Sequence, residues 1–348
     1  MRRTDRFTQL AIGAAEEALE EAGWNGTPVY PADRVGCIVG TGVGGIATEE
    51  EQHTRLRERG PGAVSPLTIP MIMPNAAAGY LAMRHEWRGP SFSVVSACAS
   101  GGHAIGLALR TIQSGDADAM LAAASEAPLT PLGTSSFQAM DVLSPTGRSL
   151  PFDARRDGFV MGEGSGALVL EAADCAEARG ATVLGELLGY AATADAYHIT
   201  SPDPEAHGAV RAIESALEDA MLGPDDVDYV NAHGTGTQLN DRVESLALRR
   251  ALGEAAEGLP VSSTKSAIGH LLGAAAVVEA VATVHALGRR VAPPTLGYLE
   301  REEGLDLDYV PVSRPLQTRN GRAVALSNAF GFGGHNVVIC LASGEGPP

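Results

Sequence analysis

The chain reads as an α/β protein built from two similar halves, and three observations predict it. Apolar strand-like runs alternate with helical patterns along the whole sequence, the signature of mainly parallel sheets. A strand, a helix rich in small residues and a glycine stop occur twice, at 91–115 and again at 260–288. At 348 residues the chain is long for one simple domain and long enough to bury a sizeable core or a duplicated fold.

The elements follow in order. The charged start, Met1 to Arg6, leads into an amphipathic helix over 7–22 rather than into a signal-peptide core. The run 35–40 predicts a strand that ends in the glycine-rich turn Gly40-Thr41-Gly42-Val43-Gly44-Gly45. That turn has the look of a dinucleotide fingerprint. Glu49, Glu50 and Glu51 follow where a pyrophosphate would sit, however, and no βαβ unit follows promptly, so we read a loop lining a pocket. Next come a strand at 91–95, a small-residue helix at 97–114, a stop at Gly115 and a strand at 117–124. A charged, alanine-rich stretch at 171–180 separates the halves, which we place at 1–172 and 173–348. The second half repeats the scheme with strands at 227–230 and 260–263, a small-residue helix at 267–287 and a stop at Gly288. Helices so rich in Ala and Gly pack closely and suit burial between two sheets. A duplication with a pseudo-two-fold axis would bring the Cys98 turn near the turn at 265–270.

Composition excludes several classes. A formal charge of −17 argues against nucleic-acid binding, which needs a basic surface for phosphates. The four cysteines, Cys37, Cys98, Cys175 and Cys340, lie far apart without a CxxC pair, which argues against zinc or disulfide frameworks and for a reducing compartment. With 45% hydrophobic residues and no apolar run read as long enough for a bilayer, a soluble cytoplasmic protein without a membrane partner is expected. Lys265 is the only lysine. A coding bias toward arginine explains the scarcity, and a lysine kept against that bias suits a place where a compact ammonium must fit among buried partners.

Three side chains carry the chemistry. Cys98 lies in Val94-Val95-Ser96-Ala97-Cys98-Ala99-Ser100-Gly101-Gly102, where a strand runs into a helix. A thiol near a helix N-terminus meets the dipole and free N–H groups, which favour the thiolate. From this local context alone the catalytic and packing readings of Cys98 stand level, whereas Cys37, Cys175 and Cys340 read as structural. His233 follows the strand 227–230, and His270 stands in the first turns of the next small-residue helix, each in a glycine-rich turn. Two imidazole N–H donors can hold one oxyanion. His53, His85, His198, His207 and His285 read as ordinary polar residues. A zinc site of Cys98 with both histidines lacks local ligand pairs.

Four motifs in order carry a family resemblance: Ser96-Ala97-Cys98-Ala99-Ser100-Gly101, Asn231-Ala232-His233-Gly234-Thr235-Gly236-Thr237, Lys265 with Gly269-His270, and Asn328-Ala329-Phe330-Gly331-Phe332-Gly333-Gly334. Together they resemble the β-ketoacyl-acyl-carrier-protein synthases, closest to the type II condensing-enzyme branch, from about residue 5 to residue 342. The resemblance implies a thiolase-like duplicated fold of five αβαβα layers with mixed, mostly parallel sheets, and a homodimer. It implies that Cys98 takes the acyl chain from carrier-protein phosphopantetheine, with its own N–H and that of Phe332 as oxyanion hole. His233 and His270 would hold the malonyl thioester carbonyl as carbon dioxide leaves. Lys265 and Glu279 would form a buried pair ordering His270, with Asp241 and Glu244 in the same network. Glu279, among Ala274, Val277, Val278 and Val281, is expected to be buried and to need a cation nearby. Thr235 and Thr237 would hydrogen-bond the pantetheine arm, Val43 and Phe137 would line the acyl pocket, Phe332 would gate it, and Phe330 counts with the substrate-binding residues. No metal or redox cofactor is implied.

The chain departs from the family in three places. An apolar strand expected ahead of the helix at Phe7 is absent, which predicts a gap in the N-terminal sheet with unpaired backbone. Asp141 stands where a basic residue for carrier-protein docking is common, so Arg55, Arg57, Arg59, Arg148, Arg155 and Arg156 are the candidates for that patch. The short segment 143–148 is similar to polyketide ketosynthases. The rivals are therefore a ketosynthase of a specialised polyketide or polyene pathway, and a non-catalytic ketosynthase-like subunit in a heterodimer. A thiolase would need a second catalytic cysteine.

Overall fold

The computed structural model describes residues 3–24, 29–318 and 321–344. Contacts group the chain into two units that interleave in sequence. The first holds Met1–Ala139, Gly162–Ala181 and Leu271–Val278, and the second holds Met140–Met161, Thr182–His270 and Glu279–Pro348. They differ from the expected halves, 1–172 and 173–348, because 140–161 and 271–278 each pack with the other half's elements.

In the first unit a four-stranded sheet runs β2-β1-β3-β4, from β1 (Val35–Gly40), β2 (Ser91–Val94), β3 (Ala119–Glu126) and β4 (Gly164–Glu171). β1 pairs in parallel with β2 and β3, while β3 and β4 are antiparallel. β1 and β3 are buried at every position, as suits central strands, including the polar Ser125 and Glu126 that close β3. Helix α1 (Arg6–Glu21) begins where the Asp5 carboxylate accepts from Phe7 N–H at 3.1 Å, and its second oxygen accepts from Thr48 N–H at 2.8 Å. Phe7, Ala11, Ala15 and Leu19, one every fourth residue, form the face that α1 buries on β3 and β4. Helices α2 (Ile46–Arg59), α3 (Thr68–Ile72) and α4 (Ala76–His85) precede β2. Helix α5 (Ser100–Gln113) packs on β1 and β3, and α6 (Pro131–Ala139) follows β3. A Cβ on Gly101 would stand 3.0 Å from Val277 N, so the small residues of α5 permit this close approach.

After the short α7 (Ala173–Ala178), the second unit forms a five-stranded sheet in the order β5-β11-β10-β6-β7. Its strands are β5 (Gly185–Ala194), β6 (Tyr229–Asn231), β7 (Val261–Ser262), β10 (Val324–Gly331) and β11 (His335–Ser343), with β8 (Val291–Ala292) and β9 (Arg314–Pro315) as a separate ribbon. β6 is parallel to β7 and β10, and β11 is antiparallel to β10 and β5. Helix α8 (His207–Asp219) covers β5 and β11 and meets α9 (Gln238–Leu252). The turn α10 (Lys265–Ile268) and the long α11 (Ala275–Arg289) complete the set.

The class is the expected one, α/β with parallel pairings in the majority in the two main sheets. The thiolase-like duplication is visible in strand order: β2-β1-β3-β4 repeats as β7-β6-β10-β11 with the same pairing senses. β5, which flanks β11, has no counterpart beside β4 among the described residues. β4 is therefore half-buried at almost every position, whereas β11, paired on both sides, is buried at all but its first. One expectation needs correction. The helical stretch Leu272–Arg289, 18 residues, is long and apolar enough to cross a membrane by length and composition, and it is mostly buried inside the protein as a core helix.

Candidate active site

In the first unit the chain turns sharply between β2 and α5. Ala97 takes φ 50°, a left-handed conformation uncommon outside glycine, immediately before Cys98. Ser96 N–H donates to Ser100 Oγ at 2.9 Å, and Ser100 Oγ in turn lies 2.7 Å from the Ala97 carbonyl and 3.1 Å from the Thr41 carbonyl. Ser96 Oγ and His103 Nδ1 share a hydrogen at 2.8 Å. The helix starts at Ser100 rather than at 97, because Ala97 is left-handed, so Cys98 stands just ahead of the helix N-terminus. There the helix dipole favours an anion. Cys98 is 8% exposed. The buried Cys37 and Cys340 thiols are pushed up by burial to about 11 and about 12, as structural thiols are. Val43 is exposed in the loop after β1, and Phe137 is half-buried on α6.

The second unit brings the histidines together. His233 follows β6 and His270 follows α10, both buried, with ring centroids 5.4 Å apart at 84°. Phe159 lies edge-on to His270 at 5.1 Å and Phe330 tilts over His233 at 5.8 Å. The backbone is pinned on both sides. Glu244 of α9 accepts from His233 N–H and Gly234 N–H, each at 2.7 Å, and from Asn328 Nδ2 at 3.0 Å, while His270 N–H donates to the Val160 carbonyl at 2.7 Å. Lys265, fully buried, donates to Glu279 Oε1 at 2.6 Å, the pair the resemblance implied. Burial holds both histidines well below the usual pKa, and the Lys265 charge adds to the effect. Both imidazoles are therefore neutral at physiological pH, each with one N–H to donate. Thr235 and Thr237 face each other, Oγ1 to Oγ1 2.9 Å, in the loop after His233, and Phe332 occupies the tight turn between β10 and β11.

Two expectations change. Asp241 does not join the lysine network. Its carboxylate accepts from Phe152 N–H at 2.7 Å and Gly236 N–H at 3.2 Å, and it lies 3.5 Å from Arg156. Arg156 is itself buried and paired with Glu302, so it is not part of a surface docking patch. This ion pair was invisible in sequence because its members are far apart along the chain. Glu126 was also missed; its only signal is a lone carboxylate closing a run of small apolar residues. Among the described residues no group of three or more His, Cys, Asp or Glu side chains is arranged to hold a metal ion.

The first unit thus carries Cys98 on a strand-to-helix turn, and the second carries a buried pair of neutral histidines and a buried lysine–glutamate pair. Residues 1–176 match the beta-ketoacyl synthase N-terminal domain and residues 184–299 the beta-ketoacyl synthase C-terminal domain, and the chain belongs to that family. Among known proteins it is 47% identical, over 346 residues, to the 3-oxoacyl-[acyl-carrier-protein] synthase 2 of Synechocystis sp., covering 98% of this chain and 82% of that one. It is 44% identical to the enzyme of the same name from Staphylococcus aureus, covering 99% and 83%. Among solved structures it resembles a chain of the AntDE:AntF complex, a type II PKS acyl-carrier protein in complex with its ketosynthase. There the TM-score is 0.92 at 34% identity, covering 98% of this chain and 85% of that one.

Proposed function

We propose that the protein is a β-ketoacyl-acyl-carrier-protein synthase, joining an acyl group to a malonyl unit with loss of carbon dioxide. The observation that carries this reading is the buried, neutral His233–His270 pair, held in place by Lys265–Glu279 and by Glu244. In the first half-reaction the Cys98 thiolate attacks the acyl thioester, a carbon–sulfur bond forms to Cys98, and the phosphopantetheine thiolate leaves and takes a proton. In the second, the bond between C2 and the carboxylate of the malonyl thioester breaks. The electron pair moves into an enolate whose oxygen is stabilised by the two imidazole N–H donors. C2 then attacks the acyl-Cys98 carbonyl, and sulfur leaves as the thiolate, ready for another cycle. The balance is acyl thioester, malonyl thioester and one proton in; β-ketoacyl thioester, carbon dioxide and free carrier thiol out. No cofactor enters any step. Cys98 and Phe332 N–H groups serve as the oxyanion hole for acyl transfer, Thr235 and Thr237 bind the pantetheine arm, and Val43, Phe137 and Phe330 contact the acyl chain.

The acyl carrier protein is the partner that delivers both substrates, and a second copy of the chain is the expected subunit partner. β2 is an edge strand, paired only with β1 among the described residues, and Phe92 within it and Val95 just after it are exposed. An apolar open edge of this kind invites pairing. Fatty acid synthesis is the first reading of the pathway, given the synthases matched at 44% identity and above. Assembly of a specialised polyketide is the second, given the likeness to a chain of the AntDE:AntF complex. The chain lengths accepted from acyl-carrier protein separate them. The chemistry is tested by His270→Ala. Malonyl-carrier-protein decarboxylation should fall about 100- to 1000-fold while acyl transfer to Cys98 stays measurable. Equal loss of both half-reactions counts against the role given to His270.

A further inference from the structure

Glu126 closes β3 and is fully buried, yet no step of the reaction uses it. Its carboxylate gathers four neutral donors. Oε1 accepts from Thr41 Oγ1 at 2.9 Å and Val43 N–H at 3.1 Å, and Oε2 accepts from Gly42 N–H at 2.6 Å and Gly273 N–H at 3.0 Å. Three converging backbone N–H groups form an anion-binding nest, here filled from within the chain. A neutral acid would turn its own O–H against one of these donors, so the full set of bonds belongs to the carboxylate. Burial opposes that charge and pushes the Glu126 pKa up, which makes the four donors necessary rather than incidental.

The donors belong to two segments. Thr41, Gly42 and Val43 are the loop after β1, and Gly273 is the middle residue of the turn Leu272–Ala274 that leads into α11. The two backbones touch: a Cβ on Gly273 would lie 2.4 Å from Gly42 N. The same loop abuts the nucleophile turn, since Thr41 N–H donates to the Val94 carbonyl at 3.2 Å and Ser100 Oγ approaches the Thr41 carbonyl. Thr41 Oγ1, while donating to Glu126, accepts from Gly44 N–H at 3.1 Å and so fixes the far side of the loop. One carboxylate therefore sets the position of Val43 relative to the Cys98 turn.

We propose that Glu126 is a positioning residue that determines which acyl chains load onto Cys98, by locking the Thr41–Val43 loop. This rests on the reading of Val43 as a wall of the acyl pocket. The test compares acetyl- and octanoyl-carrier protein as acyl donors to the full chain, following Cys98 acylation by intact-protein mass spectrometry and malonyl-carrier-protein decarboxylation separately. In Glu126→Gln the octanoyl-to-acetyl ratio of acylation rates should fall at least about tenfold, the effect of one lost charge-assisted hydrogen bond, with decarboxylation within about threefold of wild type. Thr41→Val, which removes one donor and keeps the shape, should shift the ratio the same way by less, and it decides the matter if Glu126→Gln does not fold. An unchanged ratio, or acetyl loading, octanoyl loading and decarboxylation falling together with Tm, would overturn the proposal. A wild-type protein that takes no acyl group at all would instead sink the condensing reading beneath it.

Discussion

Glu244 shows how a single buried side chain ties pH to the reaction. Burial pushes its carboxyl up to about 7, against the pull of the His233, Gly234 and Asn328 donors toward the ionised form. Because the folded pKa lies above the ordinary 4.5, the folded state keeps this proton longer than the unfolded chain. Its stabilisation is thus full below pH 4.5, declines as pH rises toward about 7, and is gone above. Activity runs the other way, since only the carboxylate accepts all three donors and holds the His233 turn. Decarboxylation is expected to rise through about pH 7 on loss of one proton, an inflection that the histidines, titrating far lower, do not produce. Glu244→Gln should abolish that inflection and lower kcat about tenfold, as loss of a charge-assisted clamp does. A pH–rate profile with the inflection intact in the variant contradicts this role. At this scale the sequence was legible where a residue was marked by its own surroundings: Cys98 before a small-residue helix, His233 and His270 in glycine turns, Lys265 as the only lysine. It was illegible where a partner lay elsewhere in the chain. Asp241 and Glu244, three apart on one helix, look like members of one network, yet Arg156 takes the first and the His233 turn takes the second.

Among the elements, strands were readable as apolar runs, and their boundaries erred where one residue's backbone decided. The left-handed Ala97 delays α5 to Ser100, a shift that no periodicity encodes. β3 was read two residues early, at 117–124, because Ser125 and Glu126 look like a strand's polar end, whereas both are buried, each satisfied by partners distant in sequence. β4 and β11 are the informative pair. They hold equivalent places in the two repeats, but among the described residues β11 is bonded on both sides and β4 on one. Hydrogen exchange should therefore find the β4 amides directed away from β3 exchanging at least about tenfold faster than the interior amides of β11. Equal protection of the two strands would mean that the β4 edge is covered in solution.

For the molecule as a whole, duplication was legible from the repeated strand, small-residue helix and glycine stop. The interleaving of the units was not, because it depends on where 140–161 and 271–278 pack rather than on what they are. The exposed β2 edge leads to the assembly prediction. Phe92→Asp with Val95→Lys should convert the proposed dimer to monomer in sedimentation analysis, by placing charges on this exposed apolar edge. A wild-type monomer, or a dimer indifferent to both changes, would place the subunit contact elsewhere. The central claim is that Cys98 carries the acyl chain. Its most direct test is mass spectrometry of the protein after incubation with acyl-carrier protein. The account predicts one acyl adduct, mapped to the peptide holding Cys98 and lost in Cys98→Ala; a folded protein with no adduct, or with an adduct that survives the substitution, contradicts it.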